Sequence, residues 1–390
     1  MVVKEPSLPP YLVNPIHKLY MPKDIAILLV GDKYLMHYII VSLSEFKHIK
    51  IHVLSYSKNN ILKYSRLKTG MSYYPKPEND TEWADQINNE IRAKDIALVL
   101  PVDDKSIKRA IKCQDAIGSH KLALIPDEEN YNIAVNKWKL YKFMRKHNMS
   151  CPNSKKYSEG LIVEELSYPL IVKPISNTQG GDGVKLFKSA QELKGFLEKF
   201  QFKREKIIQD YVDGHNAGCS VLCRNGEIIR YTIQKEILRD RNPYKPLLAV
   251  KIQEDKSILK LVKQLMKGLN WTGVAHIDLK LDTASNTYKI LEINTRYWGS
   301  LYASTLAGIN FPYEHILSSL QFKPTEATFR EVEYINIKGV AHKSFVNPFY
   351  LLRLKLLLKN SQIKYTLRDP LPSGLKYAEI IWNRVKKRMN

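Results

Sequence analysis

Residues 288–300, YKILEINTRYWGS, place Glu292, Asn294 and Arg296 at every second position behind a short apolar run. Side chains of an extended strand alternate between faces, so these three point one way while Ile293 and Thr295 point the other. A carboxylate, an amide oxygen and a guanidinium then converge. Hard divalent cations such as Mg²⁺ take oxygen ligands and often share them with substrate phosphates, and an adjacent arginine suits phosphate or carboxylate recognition. Upstream, HIDLKLDTASNTYKILEIN (276–294) reads as a hairpin, with Leu279/Leu281 and Ile290/Leu291 flanking a polar turn at 282–287. Pairing of its strands would bring Asp278 near Glu292. For the strand taken alone, an ordinary edge hairpin with a solvated polar face is the plainer alternative.

Working backwards, YPLIVKPISNTQGGDGVKLF (168–187) holds two β-patterned runs, LIVKP and VKLF, joined by a polar segment with Gly180, Gly181 and Gly183. Glycines let a backbone approach an anion closely, and successive amides can form a nest for phosphate oxygens. Lys173 lies beside this segment, for which a flexible hairpin turn is again the plainer reading. Next, KIIQDYVDGHNAGCSVLCRNGEII (206–229) contains a strand pattern, a turn at Asp213-Gly214 and a hairpin at Asn225-Gly226. RYTIQKEIL (230–238) continues as a strand carrying Gln234 and Lys235, followed by a basic stretch with Arg239, Arg241 and Lys245.

GVAHIDLKLD (273–282) followed by LEINTRYWGS (291–300) resembles the metal-binding end of the ATP-grasp superfamily. By that resemblance Asp278, Glu292 and Asn294 hold Mg²⁺, with Mn²⁺ as an alternative. Arg296 resembles the trailing arginine of the biotin carboxylase and carbamoyl phosphate synthase branch, and would contact substrate or transition state. The order strand, Val-Lys-Pro, glycine loop, strand is similar to the loop that folds over ATP in this superfamily. It implies Lys173 on the α- or β-phosphate and the amides of Gly180, Gly181 and Gly183 at the β/γ end. DEENYNIAVNKWKLYKFMRKHNMSCPNS (127–154) reads as one helix ending at a Cys-Pro break, and resembles the helix that opens many ATP-grasp regions. Lys137 thereby becomes a phosphate contact. Gln209, Asp210, Tyr211 and Val212 match the hinge that pairs with the adenine edge. Where the family places a ribose-binding glutamate this chain has His215 and Asn216, leaving Asp213 or Asn216 for the ribose. Gln234 and Lys235 resemble a pair that reaches toward bicarbonate or acyl phosphate.

The chemistry so implied is activation of a carboxylate by ATP as an acyl phosphate, then transfer to an amine, with release of ADP. A bicarbonate-using enzyme of the carbamoyl phosphate synthase or biotin carboxylase kind is one alternative, and a nucleotide-binding protein without turnover another. The YWGSL that follows Arg296 departs from the biotin carboxylase continuation, which ranks carboxylation lower.

The expected fold is α/β of the α+β ATP-grasp kind. It comprises a small parallel Rossmann-like domain (1–125), a small lobe with the glycine loop (126–205), a catalytic lobe with the metal site (206–330) and a basic helical extension (331–390). In the first of these, residues 1–22 are expected to wrap the domain, and DIAILLVG (24–31), IKIHVL (49–54), IALVLPVDD (96–104) and KLALIP (121–126) read as strands. Helices are expected after the first strand and over 106–113. Gly31 is followed by Asp32, Lys33 and Tyr34 rather than by a G-x-G-x-x-G loop, so dinucleotide binding is not supported.

Across 390 residues, 44% hydrophobic and 26% charged composition is that of a folded globular chain. Its four cysteines form no C-x-x-C pair, which favours free thiols. The net charge of +22 (61 Lys+Arg less 39 Asp+Glu) asks for an anionic partner or habitat. No nucleic-acid motif is present; small-molecule carboxylate and amine substrates are what the resemblance implies, with a homodimer reasonable on the same ground. No apolar run has membrane-spanning length and MVVKEPSLPPYLVNP does not read as a secretory signal, so a cytoplasmic location is expected. Basic residues grow dense in SFVNPFYLLRLKLLLKN (344–360), an expected amphipathic helix, and in YAEIIWNRVKKRM (377–389), set off by a break at RDPLPSG. Such helices suit peripheral contact with the inner face of an anionic membrane.

Overall fold

The apolar run IAILLV forms strand β1 (Ile25–Val30), buried almost throughout as parallel strands covered on both faces must be. It lies in a four-stranded parallel sheet, ordered β3 (Gly70–Tyr73), β2 (Ile49–Ser55), β1, β4 (Leu98–Pro101). This is a computed structural model describing residues 24–157, 161–176, 183–199, 205–322 and 328–389; the expectations for residues 1–22, Gly180 and Gly181 fall outside them. The turn after β1 explains why no dinucleotide loop is found. Asp32 accepts from the amides of Tyr34 and Leu35, both at 2.9 Å, so a carboxylate sits on the helix N-terminus where a phosphate would need to lie. Residues 121–126, expected as a strand, supply only a single bridge from Leu122 to Val99. The fourth strand is instead β3, whose polar GMSY sequence conceals it.

The chain divides into two compact units. One comprises β1–β4 with described residues of 1–124, 304–330 and 364–390, and the other residues 125–303 and 331–363. The expected catalytic lobe and C-terminal extension are therefore each divided between the two.

The second unit contains two antiparallel sheets. The smaller is ordered β5 (Ser154–Lys156), β8 (Lys206–Asp210), β6 (Leu170–Pro174), β7 (Lys185–Phe187), around a core of Val163, Leu170, Val172, Phe187, Leu193 and Ile208. The larger runs β13 (Thr287–Asn294), β12 (Gly273–Asp282), β9 (Gly214–Arg224), β10 (Glu227–Leu238), β11 (Ala249–Ile252), β14 (Val332–Ile335). The β9–β10 turn uses Asn225 and Gly226 with φ of 50° and 82°, the left-handed pair that a tight hairpin requires. One face of the larger sheet, carrying Cys219, Ile233, Ile277 and Ile293, packs on the helix Lys256–Gly268 through Ile258, Val262 and Leu265.

Three helical expectations need correction. Residues 127–154 form two helices, Glu128–Val135 and Lys137–Lys146, because Asn136 turns extended and its Oδ1 accepts from the amides of Trp138 and Lys139. Residues 331–390 are not purely helical, since β14 joins the edge of the larger sheet beside β11, and Asn347-Pro348 divides the helix expected over 344–360. The RDPLPSG segment starts a helix, Pro370–Met389, rather than breaking the chain: proline is tolerated in a first turn, where its missing N–H has no partner to lose. Among the described residues no helix is long and apolar enough to cross a membrane.

Candidate functional site

The hairpin of β12 and β13 sets Asp278 directly opposite Glu292 and His276 opposite Asn294. A register shift between Asp278 and Leu279 leaves Leu291 as an extra residue, so Ile290 falls on the core face while Glu292 faces the other way. Asn294 Nδ2 donates to Asp278 Oδ2 at 2.8 Å, and Arg296 Nη2 reaches Asn294 Oδ1 at 3.4 Å. The three carboxylate and amide groups expected to converge therefore do so, with Arg296 at their edge. Among the described residues no three His, Cys, Asp or Glu side chains cluster as metal ligands. The donor set is two carboxylates and an amide oxygen, which fits a hard cation that completes its shell with phosphate oxygens.

Two lysines approach this group from other elements. Lys137, first residue of its helix, pairs with Glu292 at 3.1 Å, and its backbone N–H donates to the carbonyl of Ile175 just beyond β6. The helix break at Asn136 is what lets Lys137 start a new turn here. Lys173, on β6, is 7% exposed; burial lowers its pKa to about 8, opposed by Glu292 and Asp278 and assisted by the neighbouring Lys137 charge. Lys137, Lys173, Asp278, Glu292, Asn294 and Arg296 are thus brought together.

Behind the carboxylates runs a network in which the sequence singled out Asp278 and Gln234 but not Ser220, His276 or Ser300. Ser220 Oγ lies 2.8 Å from His276 Nδ1, His276 Nε2 lies 3.3 Å from Asp278 Oδ1, and Ser300 Oγ donates to Gln234 Oε1 at 2.8 Å. The His276 ring stacks on Trp298 with centroids 5.6 Å apart. Burial pushes the Asp278 carboxyl up, but the His276 and Asn294 hydrogen bonds outweigh it and hold the group below the usual carboxylate value. Gly218 lies between Gln234 and Asp278 in register, and a Cβ there would come within 2.8 Å of the His276 ring. The period-two pattern HID on β12 was the available signal for His276.

Lys235 is not brought to this group. It lies one residue on from Gln234 and so on the opposite face, where its Nζ pairs with Asp255 at 2.7 Å. Asp255 also accepts from Tyr288 Oη at 3.0 Å and caps the helix Lys256–Gly268.

At the expected hinge, the Gln209 side chain is buried and donates to Ser154 Oγ at 3.0 Å. The amides of Asp210 and Tyr211 donate to Asn153 and Pro169 carbonyls at 3.0 and 3.1 Å. Val212 is buried and the Tyr211 ring lies under Lys280 Nζ at 4.8 Å. Asn216 Nδ2 donates to Glu236 Oε2 at 2.6 Å, which sets a carboxylate from β10 beside Asn216. Gly183, the described glycine of the loop, has φ of +77° and packs so closely on Pro174 that a Cβ would meet Pro174 Cγ at 3.0 Å.

Residues 134–300 match the ATP-grasp domain family. D-aspartate ligase of Enterococcus faecium is 24% identical over 45% of this chain and 47% of its own length. D-alanine–D-alanine ligase of Clostridium perfringens is 27% identical over 40% and 55%. The chain spans about half the length of these curated relatives. Among solved structures, an L-amino acid ligase from Bacillus licheniformis superposes with a TM-score of 0.63 at 18% identity, over 80% of this chain and 79% of the other. N5-carboxyaminoimidazole synthetase from Staphylococcus aureus complexed with ADP does so with 0.66 at 14% identity, over 84% and 86%. These superpositions show a shared fold. Residues 134–300 of the chain carry an ATP-grasp domain.

Proposed function

We propose that this protein is an ADP-forming ligase that activates a carboxylate as an acyl phosphate and passes it to an amine. The observation that carries the reading is the meeting of Lys137 and Lys173 with Asp278, Glu292 and Asn294, beside Arg296. Cations from one side and acidic oxygen donors from the other are what a polyphosphate with its counter-ion requires. The names of the relatives favour an amino acid as one of the two substrates.

Asp278, Glu292 and Asn294 would hold Mg²⁺, or Mn²⁺ in its place, and the ion would supply charge neutralisation on the phosphates. Lys173 and Lys137 bind phosphate oxygens, with the Lys137–Glu292 pair opening as ATP enters. The hinge Gln209–Val212 takes the adenine, while Glu236 accepts from the ribose hydroxyls and Asn216 orients it. Arg296 binds the substrate carboxylate, whose oxygen attacks the γ-phosphorus as the bond to the ADP oxygen breaks. The amine then attacks the acyl carbon, phosphate leaves, and the nitrogen loses a proton. The network Ser220–His276–Asp278 fixes the carboxylate that the reaction depends on.

The test is ADP release measured against panels of carboxylates, amino acids and amines. Turnover that requires both a carboxylate and an amine is the expected result. Turnover with bicarbonate as sole acceptor would replace this reading with the carboxylase one, and absence of nucleotide binding would remove every catalytic version.

A further inference from the structure

Residues 334–363 contain no Asp or Glu and five basic residues, Lys338, Lys343, Arg353, Lys355 and Lys359. The same segment exposes large apolar side chains: Phe345 is 86% exposed, Phe349 and Leu352 each 74%, and Leu354 64%. Isolated exposed leucines are ordinary, but a run of them on adjacent turns is not. Tyr350 and Leu357 point the other way, packing with Ala249, Ile335 and Val340 into a small core under β11 and β14. These two residues and the β11–β14 ladder fix the segment to its sheet, so the outward residues form a set surface rather than a loose tail. An open groove in that surface has Leu352, Leu354 and Leu356 as its apolar lining, with Arg353, Lys355 and Lys359 as its basic lining.

From this arrangement we propose that residues 343–360 form a docking surface for an anionic phospholipid bilayer. Phe345, Phe349, Leu352 and Leu354 enter the acyl boundary, and the basic side chains reach from the same turns to the headgroups. Long basic side chains carry apolar stems that lie along such a boundary while their charges stay at the headgroup level. Charge decides the occupant. A second copy meeting this face across a two-fold axis would set its own Lys355 and Lys359 against the same acid-free surface, and like charges would oppose the contact. An anionic membrane provides both the apolar depth and the negative field. The proposal involves neither the C-terminal helix nor the ligase reading.

The test is co-sedimentation of the full chain with phosphatidylcholine vesicles, with and without phosphatidylglycerol. Wild-type protein is expected to pellet with the anionic vesicles, less so at high salt, and to remain in solution with neutral ones. The triple substitution Phe349→Ser, Leu352→Ser, Leu354→Ser should lower the partition coefficient roughly tenfold or more, as loss of inserted apolar area implies. Lys355→Glu with Lys359→Glu should do likewise by removing headgroup attraction. Both variants should keep the wild-type melting temperature, since none of the five side chains is in the core. Equal binding by the triple variant, or no preference for anionic vesicles, overturns the proposal. A dimer that the triple substitution dissolves, in protein that ignores vesicles, assigns the face to a second copy instead.

Discussion

The two faces of the larger sheet are built from alternate residues of the same strands, yet they do opposite work. On β12, Ile277 is fully buried against the helix Lys256–Gly268, while His276 and Asp278 on either side of it belong to the polar network. On β9 the alternation is Cys219 against Ser220, and on β10 it is Ile233 against Gln234. The apolar face gains from removing surface from water and tolerates shape changes only at the cost of cavities. The polar face brings two carboxylates opposite each other on adjacent strands, an arrangement that repels unless cations intervene. Lys137 and Lys173 supply that compensation in the protein alone, beside the His276–Asp278 hydrogen bond, and a metal–phosphate complex would replace part of it. On the proposed reading the apolar face is accordingly a stability device and the polar face a binding one, and single substitutions should separate them.

The largest effect is expected on the polar face. Asp278→Asn or Glu292→Gln should lower product formation by about three orders of magnitude, as loss of charge stabilisation at a phosphoryl-transfer site commonly does. The melting temperature should shift little, because Glu292 keeps a third of its side chain exposed and Asp278 more. Steady-state ADP release beside a thermal melt measures both. Retained activity in Glu292→Gln would break the assignment of that face.

The apolar face should answer in the opposite way. Ile233→Ala deletes a fully buried side chain and should cost about 2–5 kcal/mol of stability, read from the urea midpoint. Activity per folded molecule should stay within a few-fold of wild type. A collapse of kcat at unchanged stability would mean that the two faces are not separable.

A smaller effect distinguishes the two ends of the polar face. Glu236→Gln should raise KM for ATP by roughly tenfold, the worth of a charged hydrogen bond to a sugar hydroxyl, with less change in kcat. An equal rise in KM for GTP would be consistent with a ribose contact. An effect confined to the carboxylate substrate would move Glu236 to the acceptor side.

The same alternation explains what could be read from sequence. Glu292, Asn294 and Asp278 were legible because a strand's period of two is strict and the hairpin turn fixed their partners. The parallel strands β1, β2 and β4 were legible as apolar runs, whereas β3 was not, since Gly-Met-Ser-Tyr has no run to show. Asn136 hid a helix break because a cap depends on backbone angles that composition does not reveal. His276, Gln234 and Ser220 lie on the face of Asp278, but their meeting depends on the register of three strands and on the space at Gly218, both set by pairing across the sheet. Glu236 escaped for the same reason: its partner Asn216 is on another strand.

Lys235 gives the smallest effect and the most direct test of the division. By resemblance it would reach the acyl phosphate, and its loss would then cost at least about a hundredfold in kcat. Its observed place is on the apolar side, where it neutralises Asp255 at the start of the helix Lys256–Gly268 and lies 5.8 Å from the Tyr288 ring centre. Lys235→Met should therefore leave kcat within about twofold, while a partly exposed ion pair of this kind contributes about 1 kcal/mol or less. Burial raises the Asp255 carboxyl, but Lys235, the Ile258 amide and Tyr288 outweigh it, so its folded pKa lies below the ordinary 3.8. The stabilisation is then fully present above that value and fades as pH falls through the folded one, since the unfolded chain takes up the proton first. The stability gap between wild type and Lys235→Met should accordingly hold from neutral pH to about pH 5 and narrow below it. A hundredfold loss of kcat at an unchanged melting temperature would instead carry Lys235 across the sheet to the reacting atoms.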